Sequence, residues 1–560
     1  MSAHDRTAMK AFWQEHSQVA SVEAMMLDSQ AAAIDKEERP EVLQMLGTVT
    51  GKRIVELGAG IGRFTGALAA AGAASVLAVD FMEHLVAENR RVNGHWGNVE
   101  FRAGDATELD LPPAHADIVF SNWLLMYLSN AEVAKLAADA LSWVAEGGIV
   151  FFRESCFRQS GDKQRRTNPT HYRNPREYFA IFDAAMVSEA DGRRARFELV
   201  SCKCVDTYVR VKHNQNQVCW KWRKVVCDAL PGSVEMRKFL DTQQYSTAGI
   251  LKYERVFGDG FVSTGGIDTT REFVAMLDLR ANERVLDVGC GIGGGDFYMA
   301  AEADAYVHGV DLSVNMVLLA LERASAARNG FKVSFEIADI TTYEAERGSY
   351  DVIYSRDTIL HIHDKPALFR RFLRLLAPGG RLLISDYCRA PAAPSAEFGA
   401  YIAQRGYDLH SVDAYGAMLE AAGFEDVVAE DRTWQFEASL KKELAAAEAG
   451  RARFVAEFSD ADFEAVVGGW RAKLARVSQG EQCWGLFRAC APKTPVGAAH
   501  ANGLANGSSH MAKPAKLTNG HACSDDAAAK DGNTVLANGR ANGVANGLCT
   551  GLNGDLNGVV

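Results

Sequence analysis

The sequence predicts two tandem α/β domains, each a mostly parallel sheet flanked by helices, followed by a disordered carboxy-terminal tail. Three observations carry this prediction: an apolar strand running into a glycine-rich turn occurs twice, the landmarks after it keep their distances, and aromatic residues stop near Ala491. The first copy reads Ile54-Val55-Glu56-Leu57-Gly58-Ala59-Gly60-Ile61-Gly62, and the second Val285-Leu286-Asp287-Val288-Gly289-Cys290-Gly291-Ile292-Gly293. Asp80 follows Gly58 by 22 residues, and Asp311 follows Gly289 by 22. Asp105-Ala106 answers Asp339-Ile340, ADIVFSNWLLMYL answers YDVIYSRDTILHI, and Gly147 answers Gly379. Spacing this regular implies duplication of a whole domain. In each half strands then alternate with helices, as a parallel sheet with helices on both faces requires. The domains are placed at residues 10–230 and 235–490, and the tail at 491–560.

At 560 residues the chain exceeds what one core serves. Its 48% hydrophobic and 23% charged residues are ordinary globular composition. No run of eighteen apolar residues is present and the first twenty lack the core of a secretory leader, so a soluble, cytoplasmic protein without membrane insertion is expected. Lys+Arg 60 against Asp+Glu 71 leaves a net charge of -11 with no cationic tract to offset it, which excludes nucleic acid as an expected partner. The 11 cysteines are scattered, and Cys202 with Cys204 lacks a second pair at zinc-site spacing. Reduced thiols, no metal and a monomer are expected. In the tail Asn-Gly recurs from Asn502 to Asn557 with single apolar residues between, too sparse to bury a face.

A glycine turn after the first strand lets a ligand approach backbone, and an acid ending the second strand accepts from ribose hydroxyls. Gly58, Gly60 and Gly62 therefore pair with Asp80, and Gly289, Gly291 and Gly293 with Asp311. Dinucleotide binding stays open on the turns alone, since Gly289, Gly291 and Gly294 fit its spacing. Two features point elsewhere: Arg63 occupies the third glycine's place in the first half, and Glu56 and Asp287 sit two residues before the first glycine of each turn. A carboxylate there suits a cofactor carrying an amino group and a sulfonium rather than a pyrophosphate. With Asp105 and Asp339 available for an adenine edge, the doubled pattern resembles the Rossmann-like class I S-adenosyl-L-methionine-dependent methyltransferases. That resemblance extends the cofactor set to Arg63, Ala106 and Asn122 in the first half, and to Ile340 and Arg356 in the second.

Strings outside the cofactor core resemble one family more narrowly. In the second half QQYSTAGILKYERVFGDGFVSTGG, ISDYC, YIAQRGYDLH and GGWRAKL resemble the phosphoethanolamine N-methyltransferases. In the first, FWQEHSQVASVEAMMLD, FSNWLLMYLS, FFRESCFRQSGDKQRRTNPTHYR and NQNQVCWKW resemble the amino-terminal domain of that family's plant-type tandem enzymes. The resemblance implies stepwise methylation of phosphoethanolamine, through its mono- and dimethyl forms, to phosphocholine, the first transfer in the first half and the later two in the second. It implies a dyad of Tyr245 and His361, and a phosphobase site of Tyr387, Tyr401, Arg405, Tyr407 and Lys473 with Gln244, Tyr253 and Ser263 nearby. Those residue types suit the chemistry. An amine of pKa about 10 must lose a proton before it attacks a methyl group, and cations with phenols suit a phosphate dianion. His363 is expected at the surface.

In the first half Asn122, Trp123 and Tyr127 stand where the second has Arg356, Asp357 and His361. The base there must differ, with Tyr127 and His171 as alternatives. The resemblance assigns the first phosphobase site to Ser155, Ser160, Gly161, Arg165 and Tyr172. A methyltransferase for another small amine, and a tandem protein with one non-catalytic cofactor-binding half, remain the rival readings.

Overall fold

Apolar runs buried on both faces form the centre of each half, as parallel strands covered by helices require. The computed structural model describes residues 3–163, 168–189, 191–226, 232–327 and 332–493. The first half supplies β1 (Arg53–Leu57), β2 (Ser75–Asp80), β3 (Val99–Ala103), β4 (Ala116–Asn122), β5 (Val144–Ser155), β6 (Met186–Ser188), β7 (Arg194–Cys204) and β8 (Gln217–Val226). The second supplies β9 (Arg284–Val288), β10 (Tyr306–Asp311), β11 (Val333–Ile337), β12 (Tyr350–Arg356), β13 (Leu376–Arg389), β14 (Glu425–Asp431) and β15 (Gln482–Cys490).

The two halves repeat one strand order, β3-β2-β1-β4-β5-β8-β7 and β11-β10-β9-β12-β13-β15-β14. Pairing is parallel from β3 to β5 and from β11 to β13, and antiparallel over the last two strands of each half. The order reverses at β1 and β9, which lie between the strands that follow them. Chain connections leave on both sides there, so a crevice opens at the carboxyl end of each.

The sheets are continuous across the halves, which the sequence did not foretell. β7 pairs antiparallel with β11 through Lys203 opposite Glu336 and Cys202 opposite Ile337. Two strand edges that would otherwise be exposed thereby cover each other. Ala491, expected to open the tail, is buried with its N–H donating to Gly380 O at 2.8 Å. The rest of the expected tail, from residue 494, lies outside the described residues. No described helix is long and apolar enough to cross a membrane.

After β4 and β12 the chain makes a short 3-10 turn, Leu125–Tyr127 and Ile359–His361. Both turns follow a residue held in the left-handed region, Trp123 at φ 59° and Asp357 at φ 49°. A buried carboxylate on the next strand pins the first turn: Glu154 accepts from the N–H groups of Leu124, Leu125 and Met126 at 3.1, 2.7 and 3.1 Å. Asp386 stands at the same register on β13 and accepts from the Tyr415 hydroxyl at 3.2 Å. These turns carry Tyr127 and His361 to the crevices.

Candidate active sites

At each crevice the acid ending the second strand anchors the glycine turn. Gly60 N–H donates to Asp80 Oδ2 at 2.8 Å, and Gly291 N–H to Asp311 Oδ2 at 3.0 Å. The other carboxylate oxygens accept from Met82 N–H at 2.9 Å and Ser313 N–H at 2.8 Å. Each oxygen keeps a further lone pair with which to accept from a ligand hydroxyl. Gly60 and Gly291 have φ of 53° and 56°, and a Cβ at Gly291 would stand 2.9 Å from Val262, so both conformation and space call for glycine.

Glu56 is buried and accepts from the Thr65 hydroxyl at 2.5 Å, and burial pushes its carboxyl up to about 8. Burial also pushes Asp287 up, with the charge of Asp311 adding to the effect. A carboxyl this deep keeps its charge only beside a cation. An amino-acid ammonium at the turn supplies one, so the donor set fits an adenosyl amino-acid cofactor better than a pyrophosphate. Asp105 accepts from Thr107 N–H at 2.9 Å, and Asp339 from Thr341 N–H at 2.8 Å, which fixes both carboxylates at the crevice rim.

The first-half cavity, about 130 Å³, brings the cofactor candidates of that half other than Gly62 together with Tyr127, Ser155, Ser160 and Gly161. Two of those candidates also bond within the protein. Arg63 pairs with Asp35 at 2.6 Å and with Glu38, and Asn122 Oδ1 accepts from Arg153 at 3.1 Å. At the acceptor end Gln217 Nε2 donates to Ser155 Oγ at 2.6 Å and to Ser160 Oγ at 2.9 Å, while its Oε1 accepts from Trp123 Nε1 at 2.7 Å. Trp13, from the helix Ala3–His16, meets Tyr127 edge-on with ring centroids 5.6 Å apart. Of the two base alternatives, Tyr127 lines the cavity, whereas His171 is exposed outside it with its N–H on Met126 O at 2.7 Å. Tyr172 packs on the cluster around Tyr127 and Phe12 without lining the cavity. Arg165 lies outside the described residues.

The second-half cavity, about 520 Å³, likewise gathers the cofactor candidates of its half other than Gly293, with Tyr245, Ser263 and His361. Arg356 lines the cavity and donates to Thr270 Oγ1 at 2.8 Å, to Thr269 Oγ1 at 2.7 Å and to Thr264 O, with Nε unpartnered among the described residues. His363 is exposed at the cavity rim. The expected dyad is not closed by a hydrogen bond. Both ring nitrogens of His361 are shielded and without a partner among the described residues. Burial, with Lys365 and Arg405 nearby, lowers this imidazole to about 4. Burial raises the Tyr245 phenol, with Tyr253 and Asp311 adding to it.

The remaining acceptor candidates are not among the residues lining this cavity and fall into two groups. The His361 ring meets Tyr407 edge-on at 5.0 Å, and Tyr407 meets Tyr401 at 5.9 Å. Arg405 lies 5.7 Å from the Tyr401 ring centre. Lys473 Nζ donates to the Tyr387 hydroxyl at 3.4 Å and sits 4.4 Å over Trp470, whose ring lies 6.1 Å from Tyr253. Burial lowers this ammonium to about 8, against the opposing pull of Glu443 and Asp357. Gln244 is buried, with Oε1 unpartnered among the described residues.

Models of methyltransferase domains match residues 54–148 and 279–423, one over each crevice. Phosphoethanolamine N-methyltransferase 3 of Arabidopsis thaliana is 56% identical over 485 residues, covering 86% of this chain and 98% of the relative. The chain belongs to the phosphoethanolamine N-methyltransferase family. The Triticum aestivum phosphoethanolamine N-methyltransferase is also 56% identical, over 86% of this chain and 95% of its own. A solved structure of Haemonchus contortus phosphoethanolamine N-methyltransferase 2, in complex with phosphomonomethylethanolamine and S-adenosylhomocysteine, superposes with a TM-score of 0.68 at 26% identity. It covers 82% of this chain and 99% of that one.

For a member of this family, several residues that shape the sites escaped the sequence reading. Arg153 is fully buried, pairs with Glu38 at 2.6 Å and stacks 3.9 Å over Trp123. Glu443 accepts from Trp470 Nε1 at 2.7 Å and from Gly265 N–H at 2.6 Å beside Lys473. Arg476 lies 4.0 Å over the Tyr401 ring. Gln217 and Arg153 carried a signal, standing inside the quoted strings NQNQVCWKW and FFRESCFRQSGDKQRRTNPTHYR. The others pair with residues far along the chain, which no local pattern announces.

Proposed function

We propose that the chain converts phosphoethanolamine to phosphocholine by three N-methylations with S-adenosyl-L-methionine as donor, the first in the amino-terminal half and the second and third in the carboxy-terminal half. The observation that carries the division is the asymmetry of two otherwise matched crevices. One acceptor end holds His361 among phenols, Arg405 and Lys473; the other holds Tyr127 with Ser155, Ser160 and Gln217. Free thiols at the described cysteines and the net charge of -11 support a reducing, cytoplasmic setting and small-molecule partners.

When bound, the cofactor supplies an electrophilic sulfonium methyl group. The chain's own residues prepare the amine. Arg405 and Lys473 bind the phosphate, which orients the nitrogen toward the turn carrying His361. Burial holds the imidazole low with the charges of Lys365 and Arg405 adding to it, and a dianion beside Arg405 offsets that charge, so phosphate binding raises its basicity where the proton must go. A neutral His361 with both ring nitrogens unpartnered then accepts the ammonium proton. The faces of Tyr401 and Tyr407 attract the cation that grows as methyl groups are added. In the first half the interleaved Ser155 and Ser160 hydroxyls, held by Gln217, serve the phosphate end, and Tyr127 stands nearest to a base.

Incubation of the intact chain with cofactor and phosphoethanolamine is expected to yield mono-, di- and trimethyl products in sequence, with unphosphorylated ethanolamine a poor substrate. Bound cofactor with no methylated product would overturn the reading.

A further inference from the structure

The helix Val314–Ala327 of the second half begins at that half's cofactor acid and is gripped along its length by the first half. At its start, Asp241 accepts from Ser313 Oγ at 2.6 Å and from the N–H groups of Val314 and Asn315 at 3.3 Å each. Asn315 Nδ2 then donates to the carbonyl oxygens of Asp241 at 3.1 Å and Tyr245 at 3.0 Å, which fixes the backbone of the candidate catalytic tyrosine. An amide can present either end, and its other partners decide which. Here Oδ1 accepts from two donors, Thr247 Oγ1 at 3.3 Å and Arg176 at 3.4 Å.

Arg176 belongs to the first half. It projects from the helix Pro175–Asp183, which is set rigidly by Pro175 and a capping box between Asn174 and Glu177. Its guanidinium also donates to Thr247 Oγ1 at 3.3 Å and pairs with Glu322 at 3.4 Å, and Asn174 Nδ2 meets the same Glu322 at 2.9 Å. Upstream, Arg158 donates to Ser325 O at 2.8 Å and Oγ at 3.0 Å, next to the first half's acceptor residues Ser155, Ser160 and Gly161.

We propose that Arg176 is a positioning residue of the second methyl-transfer site, supplied by the first half. By donating to Asn315 Oδ1 it turns the amide so that Nδ2 holds the Tyr245 carbonyl. Truncating it removes the only charged donor among the amide's described partners and frees the tyrosine's backbone without touching a ligand-lining residue.

The proposal rests on the reading that the second half performs the later methylations, so the experiment separates the two. Full-length R176A, R158A and H361A chains are assayed with phosphoethanolamine and, separately, with phosphomonomethylethanolamine. Expected for R176A is a drop in kcat of about tenfold on the monomethyl substrate with KM within about twofold, the first methylation unchanged, and partial rescue in R176K. R158A, which breaks another contact between the halves, should leave the later methylations within about twofold. R176A and N315A should be non-additive on kcat. Equal loss in R158A and R176A would show docking rather than positioning and overturn the proposal, as would no loss in R176A while H361A loses the later steps. Retained later steps in H361A would overturn the division of labour and this inference with it.

Discussion

The two halves place matching side chains on opposite partners of the same strand pairs. In the first, Asn122 on β4 faces Arg153 on β5; in the second, Arg356 on β12 faces Ser385 on β13. The indole moves likewise: Trp123 donates to Gln217 across one crevice wall, while Trp484 donates to Asp357 at 2.8 Å across the other. Each swap keeps a cation and an indole donor near the cofactor crevice while changing what faces the acceptor. The cofactor ends have stayed alike, down to carboxylate-pinned glycine turns, and the acceptor ends have not. Difference in chemistry is therefore expected at the acceptor and not at the donor.

Breaking the acceptor asymmetry should give the largest effect. H361A is expected to lower the later methylations by about 10²- to 10⁴-fold, the usual worth of a positioned base, so that monomethyl product accumulates. Product analysis by mass reads this directly, and undiminished trimethylation would remove the asymmetry. A next, smaller effect tests the similarity of the donor ends. Glu56→Gln should weaken cofactor binding in one half by roughly ten- to a hundredfold, leaving one tight site per chain by calorimetry where the parent has two. The same substitution has a stability signature. Glu56 titrates near 8 when folded against about 4.5 when unfolded, so the folded state holds a proton that the unfolded state lacks between those values. Cofactor-free protein should therefore lose stability as pH rises from about 4.5 to 8, and Glu56→Gln should flatten that slope.

How much of this was readable in the sequence follows from range. The repeated turns, Asp80 and Asp311, and the 3-10 turns carrying Tyr127 and His361 are set by short segments whose spacing survives duplication. Arg63 and Arg356 were assigned to the cofactor by position, and folding also gives Arg63 the partners Asp35 and Glu38 and Arg356 a threonine cluster. The charge was visible; its partners, far away in the chain or reached only by folding back, were not. The pairing of β7 with β11 was equally hidden, because an edge strand looks the same whether it is solvated or joined to another sheet.

Two weaker effects sharpen the comparison further. Lys473 titrates near 8, so its charge, and with it phosphate affinity, should fade as pH rises above that value. The kcat/KM for phosphomonomethylethanolamine should show a descending limb there that the first methylation lacks, and matching limbs would deny Lys473 its role. Trp484→Phe, which shrinks a fully buried indole and removes its hydrogen bond to the Asp357 carboxylate, should cost about 2–3 kcal/mol of stability in thermal melts, with the first methylation unaffected.

If two crevices of one design act on successive acceptors, a substrate that bypasses the first should rescue a chain whose first crevice is broken. Asp80→Ala removes the acid that anchors the first glycine turn and leaves the second half untouched. Given phosphomonomethylethanolamine and cofactor, this variant should still produce phosphocholine at close to the parent rate, while given phosphoethanolamine it should produce almost none. Conversion of phosphoethanolamine at the parent rate would contradict the account.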